Sequence, residues 1–265
     1  MFKRPKKELG QNFLQDETYQ QKIVQGLGNL DQYESIIEIG PGRGALTKHL
    51  IESGKKITVI EFDRDLVAFW REQAYENLTV IESDILKIDF ADILTENKNH
   101  AIIGNIPYNI TSPIIFKLIE NKSFFKRSVL MIQKEVAERV VASEGSKIFG
   151  ILSIMAQIES DTEYLFDVPA DVFFPVPKVD SAVIALDFAH TEKFNIANLP
   201  LFKHVVKTAF GQRRKMLRGS LKGILKAMNY SGNLDVTKRP EQLSIREFVD
   251  FVNELDSSKP FSSYG

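Results

Sequence analysis

Ile36-Ile-Glu-Ile-Gly-Pro-Gly-Arg-Gly-Ala-Leu46 is the stretch on which the fold turns. It opens as a short apolar run, passes glycines at 40, 42 and 44, and leads into a helical pattern over Leu46–Ser53. A strand that becomes a helix through a glycine-rich loop is a ligand-binding corner of a doubly wound sheet. Glycines there let the backbone turn tightly and approach a ligand without a Cβ in the way. Several nucleotide folds share such loops. The spacing here is G-x-G-x-G rather than the dinucleotide pattern G-x-G-x-x-G, and Pro41 removes an N–H that could have held a phosphate. A cofactor without a pyrophosphate suits this corner better.

Outward from this corner, apolar runs at Ile57–Glu61, Thr79–Glu82, Ala101–Ile103 and Val129–Ile132 read as further buried strands. Arg64–Tyr75 and Ser112–Glu120 read as helices between them. Strands alternating with helices imply right-handed crossovers, so the expected class is α/β, a Rossmann-like, mainly parallel, doubly wound sheet. Ile151–Glu159 and Lys178–Phe188 are strand-like and flank a Pro-rich loop over Val168–Pro177. A late pair of this kind predicts antiparallel strands closing one sheet edge. Composition changes over Ala189–Pro200. Beyond it Leu201–Phe210, Arg213–Met228 and Ile245–Leu255 read as helices, punctuated by Gly211 and Ser231-Gly232. The expected organisation is an α/β domain over residues 1–189 and a small all-helical domain over 190–265, with Ser257–Gly265 as a frayed tail.

The 265 residues are 43% hydrophobic and 26% charged, an ordinary globular composition. No cysteine is present, which excludes a disulfide framework and a cysteine-ligated metal, and no metal is expected. The basic N-terminus has no apolar run behind it, and no stretch has the length of a membrane span. A soluble, cytoplasmic, monomeric protein is expected. The net charge of −1 argues against a nucleic-acid partner, but its distribution argues for one. Lys193–Leu234 carries nine Lys/Arg and no acid, and residues 1–7 add four more positive charges. The rest of the chain is therefore strongly acidic, and one basic surface facing a polyanion fits this layout better than a solvated helix face.

Two acids end strands beside the glycine loop. Glu61 can accept from both ribose hydroxyls of an adenosine, and Asp84 from an adenine amino group, although either alone could be a helix cap. Asn105-Ile-Pro-Tyr108 ends the fourth strand, on the ligand edge of such a sheet. An aromatic amine is a poor nucleophile because its lone pair is delocalised into the ring. The Asn105 side-chain oxygen and the Ile106 carbonyl can accept from its two hydrogens as nitrogen becomes tetrahedral. Pro107 biases Ile106 towards extended geometry and so sets the direction of that carbonyl. Tyr108 offers a face for stacking. No strong base is needed, so catalysis would be orientation and preorganisation. A simple turn is the alternative reading of the tetrad.

The glycine loop, Glu61 and Asp84 resemble the class I S-adenosylmethionine methyltransferases. Asn105-Ile-Pro-Tyr108 resembles the signature of amino-methyltransferases that act on adenine N6, which is shared by enzymes acting on cytosine N4 and on glutamine. Three further segments resemble the ribosomal RNA adenine dimethyltransferases: Lys7-Glu-Leu-Gly-Gln-Asn-Phe-Leu14, Phe173-Phe-Pro-Val-Pro-Lys-Val-Asp-Ser181, and Phe210-Gly-Gln-Arg-Arg-Lys-Met-Leu-Arg218 with Arg239-Pro-Glu-Gln-Leu-Ser244. The likeness runs in order over nearly the whole chain.

The resemblance implies that the first of these segments covers S-adenosylmethionine, with Asn12 and Leu14 in contact alongside Gly40, Gly42, Glu61, Asp84 and Asn105. It implies that Phe173 packs against a flipped base opposite Tyr108. The last segments resemble motifs of the family's helical C-terminal domain, and apart from the resemblance Arg213, Arg214, Lys215, Arg218 and Lys222 cluster on a short helical stretch where they would grip RNA phosphates. Two branches of the family compete. One dimethylates two adjacent adenines near the 3′ end of small-subunit (16S) rRNA during 30S assembly. The other dimethylates a large-subunit (23S) adenine and confers macrolide resistance. The Phe-x-Pro-x-Pro-Lys-Val-Asp-Ser and Arg-Arg-Lys-x-Leu-Arg forms resemble the first, while Met216 and Gly219-Ser220 depart from its Thr and Asn-Ser. A non-catalytic RNA-binding assembly factor and a nicotinamide-dependent oxidoreductase are the readings from other classes.

Overall fold

A computed structural model describes residues 5–6, 9–96, 99–189 and 194–258. Lys7 and Glu8 of the N-terminal motif, Lys193 of the basic stretch, the expected boundary at 190, and all but the start of the expected tail lie outside these residues. The chain divides into two compact units. One comprises 1–138 with 159–190, the other 139–158 with 191–265. No helix among the described residues is long and apolar enough to cross a membrane.

The first unit is built on a seven-stranded sheet. Its strands are β2 (Ser35–Ile39), β3 (Lys56–Glu61), β4 (Leu78–Glu82), β5 (His100–Asn105), β6 (Phe125–Gln133), β7 (Asp161–Val168) and β9 (Ser181–Asp187). They lie in the order β4-β3-β2-β5-β6-β9-β7. Strands β2 to β6 pair parallel, β9 runs antiparallel to both of its neighbours, and β7 forms the far edge. The central strands are covered on both faces, which explains their unbroken apolar runs: Ile36, Ile37, Ile102, Ile103 and Val129 through Ile132 are all buried. Edge strand β4 is only half-buried, less covered than its sequence predicts. Helices α2 (Thr47–Glu52), α3 (Arg64–Glu72), α4 (Thr111–Glu120) and α5 (Lys134–Val140) follow β2, β3, β5 and β6. Helix α3 starts where it does because the Asp63 side chain accepts from the Asp65 N–H. A two-residue strand, β1 (Phe13–Leu14), pairs antiparallel with β8 (Phe173–Phe174) in a second, small sheet. Between β1 and β2 lies α1 (Glu17–Gln25), capped by Asp16.

Two sequence expectations fail here for physical reasons. Ile151–Glu159 is helix α6, not a strand. It is buried on most sides, so no polar face marks its period, yet Ile151, Ile154 and Ile158 recur at helical spacing. The strand beside β9 is instead β7, whose Asp161, Glu163 and Asp167 disguise an edge strand with one dry face.

The second unit is helical, with α6 (Ile151–Glu159) up to Ile158, α7 (Leu199–Gly211), α8 (Leu217–Ser220), α9 (Lys222–Ala227) and α10 (Ile245–Ser258). Its core includes Phe202, Val205, Phe248 and Val252. The single helix expected over Arg213–Met228 is broken. Residues 212–216 form a turn, and the N–H groups of Leu217 and Arg218 are taken by the carbonyls of Lys238 and Val236. A helix starting at Arg213 would need those donors for itself, and Gly219 and Gly223 weaken its continuation.

Candidate active site

The carboxyl ends of β2, β3, β4 and β5 open onto one cavity of about 620 Å³. The glycine loop reaches it from β2, Glu61 and Phe62 from β3, Ser83 to Leu86 from β4, and Asn105 to Ile110 from β5. This is the edge where open α/β sheets bind ligands. Leu9 to Gln15 cover the cavity as a strap. Asn12, Leu14, Gly40, Gly42, Glu61 and Asp84 therefore share one space with the whole Asn105–Tyr108 tetrad.

In the loop, Gly44 has φ +90°, and a Cβ there would lie 2.7 Å from the ring of Trp70. Backbone strain and packing both demand glycine. Trp70, the only tryptophan, donates its indole N–H to the Gly42 carbonyl at 3.0 Å. A Cβ on Gly42 would meet the Phe13 ring at 3.1 Å, so the strap rests directly on the loop. The Arg43 guanidinium lies 4.3 Å from the centre of the same ring.

The acids are differently placed. Glu61 accepts from the Phe62 and Asp63 N–H groups at 2.8 Å each, and from the Gly42 N–H at 3.3 Å. A carboxylate has about four acceptor positions. One remains for a ligand hydroxyl, and a second becomes available where the long Gly42 contact yields. Burial pushes the Glu61 carboxyl up from its ordinary range, against the pull of those N–H donors. Asp84 closes a local turn by accepting from the Leu86 N–H at 3.0 Å through Oδ1. Its Oδ2 has no partner among the described residues. Glu38, one of the residues lining the cavity, is 1% exposed, and its Oε2 lacks a hydrogen-bond partner among the described residues. Burial drives its pKa up to about 8, with Thr47 opposing and the Glu61 charge reinforcing the shift.

The tetrad is held from several sides. Asn105 Nδ2 donates to the Asn12 carbonyl at 2.9 Å. A carbonyl only accepts, so this bond fixes which end of the amide is nitrogen, and Oδ1 is left without a partner among the described residues. The Ile106 N–H donates to the Met131 carbonyl at 3.0 Å, while the Ile106 carbonyl takes no hydrogen bond among the described residues. Pro107 sits at φ −57° and ψ 130°. The Tyr108 hydroxyl and Ser181 Oγ are 2.8 Å apart, which ties down the ring, and burial raises the phenol pKa against the Ser181 hydrogen bond. The site thus holds two unused acceptors beside a fixed aromatic face. That arrangement can orient a planar amine and stabilise it as it becomes tetrahedral.

Phe173 is not among the residues lining this cavity. It is 3% exposed, packed with Leu14, Ile23 and Val183 and facing Leu14 across the small sheet. Its neighbour Phe174, on the opposite face of that sheet, is 51% exposed. In the helical unit, Arg214, Lys215, Arg218 and Lys222 are exposed. Arg213 is turned inward: it donates to the Ser146 carbonyl at 3.4 Å, lies 3.9 Å from Glu241 and sits over the Phe210 ring. Three site features escaped the sequence reading. Phe62 leaves 61% of its surface open although it lines the cavity, an apolar plate directly after a strand-end acid, and that adjacency was its available signal. Glu38 reads in the sequence only as one letter of the run that leads into the glycine loop. The pairing of Lys6 with Asp63 had no local signal.

The family model of the ribosomal RNA adenine dimethylases matches residues 2–257. A ribosomal RNA small subunit methyltransferase A from Bacteroides thetaiotaomicron is 43% identical over 258 residues, covering 96% of this chain and 95% of that one. A protein of the same name from Francisella tularensis subsp. novicida is 40% identical over 258 residues, covering 95% and 98%. Among solved structures, a dimethyladenosine transferase from Plasmodium falciparum superposes with a TM-score of 0.76 at 26% identity, covering 93% of this chain and 98% of that one. The 23S rRNA methyltransferase ErmE superposes with a TM-score of 0.68 at 25% identity, covering 91% and 99%.

Proposed function

Because this chain belongs to the ribosomal RNA adenine dimethylase family, we propose that it transfers methyl groups from S-adenosylmethionine to N6 of two adjacent adenines near the 3′ end of small-subunit (16S) rRNA. The product is N6,N6-dimethyladenosine, made on a 30S precursor in the cytoplasm by a monomeric enzyme. The observation that carries the chemistry is the state of the tetrad. The Asn105 NH2 is occupied by Asn12, while Asn105 Oδ1 and the Ile106 carbonyl have no partner among the described residues and border one cavity.

The donor set fits S-adenosylmethionine, whose sulfonium would supply an electrophilic methyl group by cleavage of its S–CH3 bond and leave as a neutral thioether. Gly40 and Gly42 give a backbone cradle, Glu61 retains acceptor capacity for a ribose hydroxyl, Asp84 keeps an open oxygen for an adenine amine, and Phe62 offers a stacking face. Asn12 and Leu14 would cover the cofactor, and Glu38, whose Oε2 has no hydrogen-bond partner among the described residues, lines the same cavity. The target base stacks on Tyr108, while Phe173, expected opposite it, is packed against Leu14 away from the cavity. Asn105 Oδ1 and the Ile106 carbonyl accept from the two N6 hydrogens and direct the nitrogen lone pair at the methyl group. The proton then leaves the methylated amine to solvent, so no strong base is required. Phosphates of the folded rRNA are held by Arg214, Lys215, Arg218 and Lys222 of the C-terminal helical domain, with Arg213 bracing their turn.

The decisive assay supplies labelled methyl donor to separated, under-methylated subunits and maps the modified nucleotides. Label is expected on two neighbouring adenines of the small subunit. Label confined to large-subunit RNA would move the protein to the other branch of the family, and no transfer to any RNA would reject the proposal.

Glu38 adds a pH dependence. With a pKa of about 8 in the free protein it is neutral at pH 7, and a cationic ligand beside it favours the ionised form. Binding therefore releases a proton below pH 8, and S-adenosylmethionine affinity is expected to rise from pH 6 to 8, by up to about tenfold per unit, then level off. Folding responds in the opposite sense. A carboxyl raised above its unfolded value binds protons preferentially in the native state, so its contribution to stability falls as pH rises from the ordinary carboxylate range towards 8. Trp70 fluorescence, read through its contact with the glycine loop, follows the titration. The Glu38→Gln variant is expected to flatten it, and an equally steep profile in that variant would refute the assignment.

A further inference from the structure

The strap over the cavity has two anchors. At one end, Phe13 and Leu14 pair with β8, and the Gln15 N–H donates to the Val172 carbonyl at 2.8 Å. At the other, Lys6 Nζ lies 2.6 Å from Asp63 and 2.9 Å from Asp65, and Gln11 Nε2 donates to the second oxygen of Asp63 at 2.9 Å. The Gln11 side-chain oxygen accepts the Lys6 backbone N–H at 2.8 Å, so the two strap residues are also clipped to one another. Asn12 hangs between the anchors.

Asp63 is well suited to act as a catch. It is 4% exposed and caps α3, and it follows Glu61 and Phe62 directly. Burial alone would raise its pKa. The Lys6 ammonium, the Gln11 amide and the Asp65 N–H outweigh that effect and hold it below the usual carboxylate range. A buried carboxylate left without these partners would be costly, so the catch favours the closed strap.

We propose that Lys6 and Gln11 are positioning residues for methyl transfer. By clamping the strap to Asp63 they hold the Asn12 carbonyl against the Asn105 amide, and that contact keeps Oδ1, rather than the NH2, facing the target amine. The two orientations of an asparagine amide have nearly the same shape, and only a neighbouring donor or acceptor separates them. The flipped amide would present N–H groups to the N–H groups of the base. The strap is therefore a component of the acceptor as well as a cover for the cavity, and this role rests on the methyl-transfer reading given above.

The test uses Lys6→Ala, Gln11→Ala and Lys6→Arg in the full-length chain. With under-methylated small subunits, kcat is expected to fall about tenfold or more in both alanine variants, with subunit affinity unchanged. The arginine variant is expected to recover most of the loss. In an Asn105→Ala background, Lys6→Ala should cost nothing further, because its target is already absent. Independently of any activity, the side-chain NH2 resonances of Asn105 in 15N-labelled, ligand-free protein should show protection from exchange in wild type and lose it in Lys6→Ala, with the melting temperature held close to wild type. A wild-type kcat in both alanine variants, an additive loss in the Asn105→Ala background, or unchanged Asn105 resonances would each overturn the proposal. Absence of transfer by wild type would count against the proposed function instead, and the resonance measurement would still decide whether the clamp holds the amide.

Discussion

Asn105→Ala is expected to lower kcat by about 10²- to 10³-fold, the range seen when a preorganised hydrogen-bonding group is removed from a reacting centre. Binding of S-adenosylmethionine and of under-methylated small subunits should stay within a few-fold of wild type. The reasoning is geometric. The substitution deletes one of two acceptors, and the Ile106 carbonyl that remains is held by the backbone bond from Ile106 N–H to Met131. The Asn12 carbonyl loses its donor, but it borders an open cavity where water can replace the amide, so the fold should be little affected. Asn105→Asp is an instructive companion. It keeps two acceptor oxygens but has no donor for Asn12, and it sets a negative charge against that carbonyl. It is expected to be nearly as impaired as the alanine variant. Steady-state kinetics with labelled methyl donor, alongside equilibrium binding of cofactor and subunit, checks both variants. Turnover of Asn105→Ala near wild type would remove Asn105 from the mechanism.

The second large effect concerns RNA. Replacing Arg214, Lys215, Arg218 and Lys222 together by Gln is expected to weaken subunit or rRNA binding by roughly 10²- to 10³-fold at moderate salt. The slope of log affinity against log salt should become shallower by about 3 to 4 units if each side chain holds one phosphate. All four are exposed on a short stretch that contains no acid. At saturating substrate kcat should be nearly unchanged, because the acceptors in the other unit are untouched. Arg213→Gln is the control. Its guanidinium is engaged with Ser146 and lies near Glu241, so its loss should lower the stability of the helical unit more than it alters the salt slope. Filter binding across a potassium chloride series reads both quantities. A quadruple variant with an unaltered slope would place the RNA contact elsewhere.

Much of this was legible from local pattern. The glycine spacing and the runs that became β2, β3, β5 and β6 depend on residues close in sequence, and so does the tetrad, whose position at a strand end marks it as a ligand edge. What sequence reading missed depends on tertiary context. Helix α6 shows no polar face because most of its residues are buried, Ser153 and Glu159 included, so its apolar run reads as a strand although helical spacing holds. Strand β7 carries acids that an edge position tolerates. The helix expected from Arg213 fails because Lys238 and Val236 take the N–H groups it would need. The clamp joins residues 57 apart and the amide contact residues 93 apart, beyond the reach of any periodicity. Phe173 shows the same limit from the other side, since a motif names a side chain without saying whether its ring is packed or presented.

The division of the chain has a consequence for protein engineering. Residues 139–158 belong with 191–265, although the whole of β7, β8 and β9 lies between them in sequence. The helical unit is thus a two-piece inheritance. A chimera made by a single crossover near residue 190 would give the recipient one piece of the donor's unit and leave its own piece facing it. Exchanging this unit between relatives calls for two crossovers around the 139–158 segment in addition to the one near 190, so that the three junctions travel as a set.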